Sequence, residues 1–161
     1  MRIIKVLLRW VLGLLFIWSF LDKLLGLGFS TTSEAAWVNG GSPTAGFLQY
    51  GATGPFAQIF NRIGGTGIID WLFMITLLFV GIALILGIGL RIAAVAGGLL
   101  MFLMWVAVFP KENNFLLMDE HLVYLLILLI IGFGFVDEDQ FIGLGNWWRN
   151  TPLVKKAPFL K

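Results

Sequence analysis

Long uncharged runs separated by short polar segments dominate the chain. Between Asp70 and Pro110 the one charged residue is Arg91, which separates two apolar runs. Each run is about the length that a helix needs to cross a hydrocarbon core of roughly 30 Å. Because a single helix covering both runs would exceed any bilayer, we expect a transmembrane hairpin that turns near Gly87, Gly89 and Arg91.

Two further apolar runs complete the pattern. The first follows a basic N-terminus and is uncharged from Trp10 to Leu21, and the last is uncharged from Leu122 to Val136. No small-x-small cleavage site follows the first run, so we interpret it as a retained helix rather than a secretory signal. The pattern predicts an all-α fold, a four-helix transmembrane bundle in a single membrane domain, with spans near 3–22, 69–90, 92–110 and 120–136.

The segment between the first two spans is too polar to cross a membrane and too aromatic for a loose linker. Its aromatic residues are Phe29, Trp37, Phe47, Tyr50, Phe56 and Phe60. Thr31 and Glu34 have the spacing of a capping box, which predicts a short helix to about Val38. Pro55 is typical of the first position of a second, amphipathic helix. We expect residues 27–68 to form an ordered, extracytoplasmic aromatic cap of short helices.

Basic residues are distributed unequally between the two ends of this bundle. With four spans, one side carries both termini and eight basic residues, whereas the other carries Lys23, Arg62 and Lys111. Lys and Arg concentrate in cytoplasmic segments, so both termini are expected in the cytoplasm and the cap outside the plasma membrane. The tail, residues 137–161, combines tryptophans with lysines and is expected to lie at the cytoplasmic interface.

Composition narrows the possible chemistry. Hydrophobic residues make up 59% of the chain and charged residues 12%, which is far from the balance of a soluble domain. The net charge of +2 gives no indication of nucleic-acid binding. The chain has no cysteine and one histidine, which excludes thiol redox chemistry, cysteine-bound iron–sulfur clusters and bis-histidine haem. We therefore expect no metal site and no covalently bound cofactor.

Eight runs of the chain carry a family resemblance: FLDKLLGLGF, AWVNGGSPTAGFL, GPF, DWLFM, LGIGLRIAA, LMFLMW, DEHLVYLLILL and PLVKKAPFL. In this order, they resemble the DoxX/DoxD-like integral membrane proteins, especially the form common in actinobacteria. The resemblance implies a four-helix membrane bundle. One branch, the DoxD subunit, belongs to a thiosulfate:quinone oxidoreductase, so the resemblance also implies a redox setting. It supplies no catalytic motif that can be carried over to this chain.

Ionisable and aromatic side chains collect at the predicted outer end of the bundle. The candidates for a substrate or quinone pocket are Asp22, Lys23, Trp37, Asp70, Trp105, Glu120, His121 and Tyr124. Among these, His121, Tyr124 and Lys23 are the candidate catalytic residues. A histidine exchanges protons near neutral pH, and a lysine can hold an anion or polarise a quinone carbonyl. The structural alternatives are an interfacial ion pair, helix N-terminal carboxylates and aromatic packing.

Three functional hypotheses are compatible with these features. In the first, the protein is an integral membrane subunit associated with a quinone-linked oxidoreductase, with quinone as ligand and another membrane or periplasm-facing redox protein as partner. In the second, it is a non-catalytic accessory subunit of a respiratory complex. A small-molecule transporter is third, because no inverted repeat and no mid-membrane charge is evident. Each hypothesis places the chain in a lipid bilayer and leaves homo-oligomers open.

Overall fold

The computed structural model describes residues 2–109, 118–134 and 142–160. Its α-helices are α1 (Arg2–Leu25), α2 (Ala57–Ile63), α3 (Gly67–Leu86), α4 (Leu90–Val108), α5 (Glu120–Leu129), α6 (Gly145–Asn150) and α7 (Pro152–Lys156). Shorter 3₁₀ turns lie at Ser33–Ala35, Trp37–Asn39 and Pro158–Leu160, and π-helical turns lie at Gly46–Gly51 and Ile130–Gly134. The described residues contain no strand, which confirms the predicted all-α class.

Within the described part of the chain, three helices, α1, α3 and α4, are long and apolar enough to cross a membrane. The helix formed by α5 and the π-helical turn after it, Glu120–Gly134, is apolar but shorter. The fourth predicted span therefore stays a prediction, and its last two residues, 135 and 136, lie outside the described residues. In the bundle α1 packs on α3, α3 on α4, and α4 on α5.

The turn between α3 and α4 lies at the predicted glycines. Gly87 has φ 74° and Gly89 has φ 57°, both in the left-handed region that L side chains rarely adopt. A side chain at Gly87 would also be too close to its surroundings, because its Cβ would lie 2.7 Å from the Arg9 guanidinium. Arg9 is fully buried, and its Nη2 donates to the carbonyl of Ile142. This end of the bundle thus joins α1, the α3–α4 turn and the tail.

Small residues allow α4 to approach its neighbours closely. A Cβ on Gly97 would lie 3.0 Å from Leu128 and 3.1 Å from Val80, and a Cβ on Gly132 would lie 2.3 Å from that of Ala94. These contacts agree with the small-xxx-small spacing in the sequence. The buried core around them consists of Leu12, Phe16, Met74, Leu77, Val80, Leu84, Leu90, Met101, Leu128 and Ile131.

The first part of the cap differs from the expected short helix. Two separate 3₁₀ turns, Ser33–Ala35 and Trp37–Asn39, replace it. Between them Ala36 is extended (φ −60°, ψ 141°) and fully buried, which interrupts the helical backbone. The side chain of Thr32, the residue before the first turn, makes no capping hydrogen bond. Burial of Ala36 overrides the local capping signal here.

The second part of the cap contains the expected amphipathic helix with a later start. Pro55 lies in the turn before α2, which begins at Ala57. Phe60 and Ile63 are half-buried on its inner face, whereas Ile59 is exposed. The cap is also anchored to the end of α4, because the Thr53 N–H donates to the carbonyl of Ala107 at 2.8 Å.

The described part of the tail packs against the opposite end of the bundle from the cap. The Leu144 N–H donates to the carbonyl of Leu86 at 2.8 Å, and Arg91 Nη1 donates to the carbonyl of Pro158 at 3.2 Å. Val154 is buried, and Trp148 Nε1 donates to the carbonyl of Leu160 at 2.7 Å. The tail is therefore folded onto the bundle.

Candidate functional site

A cavity of about 340 Å³ lies between α3 and α4, directly beneath the cap. Its lining comprises residues from the cap, both helices and the last turn of α1: Lys23, Pro43, Thr44, Phe47, Leu48, Phe60, Ile63, Ile69, Leu72, Phe73, Thr76, Ala96, Leu99, Leu100, Leu103 and Met104. This size is at the lower end of the range for small-molecule sites, which are typically about 300–1,000 Å³.

The cavity opens sideways toward the region that lipid occupies. Of its lining residues, Leu72 is 59% exposed, Leu99 57% and Leu103 43%, and all three lie on α3 or α4. Among the described residues of this lining, Lys23 is the charged side chain, and the remaining groups are almost entirely apolar. The arrangement suits an amphipathic molecule that enters from the bilayer.

Asp70, in the first turn of α3, holds the cap segment above the cavity. Its Oδ1 accepts hydrogen bonds from the Ser42 hydroxyl at 2.8 Å, from the Thr44 N–H at 3.2 Å and from the Thr44 hydroxyl. Thr44 Oγ1 in turn accepts from the Gly65 N–H at 3.1 Å. Asp70 and Thr44 are both buried. This carboxylate therefore positions Thr44, one of the cavity-lining residues, without lining the cavity itself.

Asp22, in the last turn of α1, holds the beginning of the cap in the same way, by accepting hydrogen bonds. It is fully buried and accepts hydrogen bonds from the Phe29 N–H at 3.0 Å, the Ser30 N–H at 3.0 Å and the Ser30 hydroxyl at 2.8 Å. Lys23 Nζ donates to the same hydroxyl at 3.3 Å and interacts electrostatically with Asp22. A buried carboxylate with three donors is satisfied, so Asp22 orders the chain that follows α1.

His121 lies next to the cavity wall rather than in it. Its Nδ1 and Asp119 Oδ2 share a hydrogen bond of 2.8 Å, and its ring centroid is 6.1 Å from that of Phe47, which lines the cavity. Asp119 also caps α5, because its Oδ1 accepts from the N–H groups of His121 and Leu122. His121 therefore lies behind the Phe47 ring, which separates it from the cavity.

The other candidates lie outside the cavity lining. Trp37 packs edge-on against Trp71 with ring centroids 4.7 Å apart. Trp105 lies among Phe102 and Phe109 near the end of α4. Glu120 is exposed, and Tyr124 packs against the buried core. Of the eight predicted pocket residues, the structure thus places Lys23 in the lining and connects Asp70 and His121 to it through one cap residue each.

Several cavity residues were not anticipated as site residues. Thr44 and Phe47 connect the cavity to Asp70 and His121, and Ala96 lies on its α4 wall. The uncharged runs and the aromatic cap were recognisable in the sequence. Their apolar side chains carried no signal that distinguished a cavity wall from an ordinary packing contact.

Asp119, Glu120 and His121 present potential ligand atoms within 4.8 Å of one another. The Asp119 carboxylate is already engaged with two backbone N–H groups and the His121 ring, and Glu120 is exposed. These contacts are those of a capped helix N-terminus and explain why the three residues lie close together. We therefore assign them no metal.

A bundle of long apolar helices with a cavity that opens toward lipid defines an integral membrane protein. The DoxX family model matches residues 4–110, which is more than half of the chain. The protein belongs to the DoxX family. The matched region contains every described residue that lines the cavity. No curated protein matches the chain, and no solved structure does either.

Proposed function

We propose that this DoxX protein binds a membrane quinone in the cavity beneath the cap and serves as the membrane subunit of a quinone-linked oxidoreductase. The observation that carries the proposal is the cavity itself, which is apolar and open toward lipid, with Lys23 as the charged side chain among the described lining residues. An isoprenoid tail would lie along Leu72, Leu99 and Leu103, and the ring would lie beneath the cap.

Lys23 is the residue best placed to recognise the quinone ring. The hydroxyl of Thr44 donates to Asp70, and that of Thr76 donates to the carbonyl of Leu72 at 2.7 Å. These two cavity-lining hydroxyl groups therefore have their protons engaged within the protein. An ammonium group has three donors, and one of those of Lys23 contacts Ser30. A second donor would hydrogen-bond a quinone carbonyl and stabilise negative charge that develops on its oxygen during reduction.

The electrons would come from a partner protein. Reduction of a quinone to a quinol takes two electrons and two protons, and the chain has no cysteine to carry a thiol redox step. The two protons would be taken up from water on the cap side of the cavity. With the cap outside the plasma membrane, as the basic residues predict, the donor would be a periplasm-facing or membrane redox protein. In this proposal His121 and Asp119 support the Phe47 wall of the cavity.

A non-catalytic accessory role is the second candidate. It is favoured by the use of Asp22 and Asp70, two of the buried charged groups at this end, to fix the cap. In that case the cavity would hold its occupant, a lipid or a quinone, as a structural component, and a bound quinone would not be reduced.

Filling the cavity tests quinone binding. Ala96 lines the cavity, and its neighbour Val95 is exposed on the same helix, so Ala96→Phe and Val95→Phe form a matched pair. In nanodiscs supplied with a short-chain quinone, the affinity should fall sharply for Ala96→Phe and stay at the wild-type value for Val95→Phe. Equal affinities in the two variants, or no binding to the wild type, would refute the quinone site.

Replacing Lys23 separates recognition of the quinone ring from burial of the isoprenoid chain. Lys23→Met should weaken quinone binding and should leave binding of an alkane of similar length unchanged, whereas Lys23→Arg should retain most of the quinone affinity. Electron transfer is then measured with membranes that contain the partner. Quinol formation that depends on this chain supports the oxidoreductase, and binding without quinol formation supports the accessory role.

A further inference from the structure

A second pocket lies at the opposite end of the molecule from the cap, within the folded tail. Its volume is about 400 Å³, and it is lined by Asn146, Arg149, Asn150, Val154, Lys155 and Pro158. These residues come from α6, α7 and the 3₁₀ turn after them. Unlike the cavity beneath the cap, its lining is mostly polar and includes two basic side chains.

Positive charge converges on this pocket from two parts of the fold. Arg149 and Lys155 line it, and Arg91 of α4 reaches its edge by donating to the Pro158 carbonyl. The Nε of Arg91 is buried and has no hydrogen-bond partner among the described residues. Among the described residues, none that lines the pocket is acidic, and the nearest acidic residues in the sequence are Asp137, Glu138 and Asp139.

Large apolar side chains flank the basic pocket and point away from the protein. Trp147 is 63% exposed, Leu153 56% and Phe159 66%, and each is within two residues of a pocket-lining residue. Aromatic and aliphatic side chains next to Lys and Arg are typical of a segment that lies at the membrane interface.

We propose that this tail pocket binds the phosphate headgroup of an anionic phospholipid. Arg149 and Lys155 would form charge-assisted hydrogen bonds with the phosphodiester oxygens, and the acyl chains would extend past Trp147 and Phe159 into the leaflet. The site is independent of the quinone cavity, which lies at the other end of the bundle.

The test compares two neighbouring lysines of the same tail. Lys155 lines the pocket, whereas Lys156 is also exposed and does not line it, so Lys155→Gln and Lys156→Gln remove the same charge. Native mass spectrometry in detergent would measure retained phosphatidylglycerol, with phosphatidylcholine as the reference lipid. We expect Lys155→Gln to weaken phosphatidylglycerol binding about fivefold, as for one basic side chain near a membrane surface, and Lys156→Gln to have little effect.

Three results would overturn the proposal. Equal losses for the two lysine variants would show general electrostatic attraction, and equal retention of phosphatidylglycerol and phosphatidylcholine would show no headgroup preference. Displacement of the lipid by a few millimolar inorganic phosphate would identify a site for the free anion. Arg149→Gln should also weaken the binding of phosphatidylglycerol. Its melting temperature is measured in parallel, and Lys155→Gln decides the outcome if Arg149→Gln fails to fold.

Discussion

The hydroxyl of Thr44 donates a hydrogen bond to the carboxylate of Asp70, 26 residues later in the chain. This contact ties the cap to the first turn of α3, and Thr44 also lines the cavity between α3 and α4. The position of the cavity roof therefore depends on a buried carboxylate that does not face the cavity. A substitution at Asp70 should therefore lower both the stability of the cap and the affinity of the cavity for a ligand.

Asp70→Ala should release the cap. The substitution leaves the N–H and hydroxyl of Thr44 and the hydroxyl of Ser42 without their acceptor. Because hydrogen bonds to a buried charged group contribute about 1.5–3 kcal/mol, we expect a loss of a few kcal/mol in stability. Limited proteolysis within the cap and the melting temperature in detergent measure the effect. Glu120→Ala, at an exposed residue, is the control and should change neither.

Gly87→Ala should destabilise the turn between α3 and α4. The residue has φ 74°, and a Cβ would lie 2.7 Å from the Arg9 guanidinium. Left-handed backbone at a residue with a side chain costs about 1–3 kcal/mol, and displacing the buried arginine adds to it. Gly98→Ala is the matched control, because its Cβ would meet nothing within 4 Å. A melting temperature that falls equally in both variants would contradict this explanation.

His121→Ala should lower stability more clearly than it lowers ligand binding. The ring contacts Asp119 and Phe47 and is separated from the cavity by the latter. We expect a decrease of about 1 kcal/mol in stability, similar to the loss of a helix-capping interaction, and a smaller loss of quinone affinity than in Lys23→Met. Abolished quinone binding at an unchanged melting temperature would instead show that His121 acts on the ligand directly.

Single-cysteine labelling tests the orientation in the membrane. The chain has no cysteine, so Tyr50→Cys in the cap and Lys156→Cys in the tail each introduce a single thiol at an exposed position. A membrane-impermeant maleimide added to intact cells should label Tyr50→Cys, and Lys156→Cys should react only after the membrane is opened. The reverse pattern would place the termini outside the cell and contradict the distribution of basic residues.

The sequence predicted the helical framework well because hydrocarbon thickness and backbone hydrogen bonding leave few solutions for long apolar runs. The turn at Gly87 and Gly89 was anticipated for this reason. Helix ends were less accurate. The first helix continues to Leu25 rather than ending near residue 22, which places Asp22 and Lys23 within its last turn. The second predicted span corresponds to α3, which ends at Leu86, before the predicted residue 90.

The candidate site could be predicted in outline only. A cluster of ionisable residues at the cap end was apparent, because helix topology alone brings those residues to one depth. Their separate roles were not apparent. Asp22 and Asp70 accept hydrogen bonds from cap residues, and Lys23 alone of the eight candidates lines the cavity.

Sequence alone therefore determined that this chain is an all-α membrane protein with an aromatic segment between its first two long helices, since these properties follow from run length and composition. Tertiary structure decided where the cavity lies and which polar groups face it. The buried extended conformation of Ala36, the contact of Thr44 with Asp70 and the position of Phe47 beside His121 join residues distant in sequence. Such contacts depend on how the cap packs onto the bundle, and no local pattern encodes that packing.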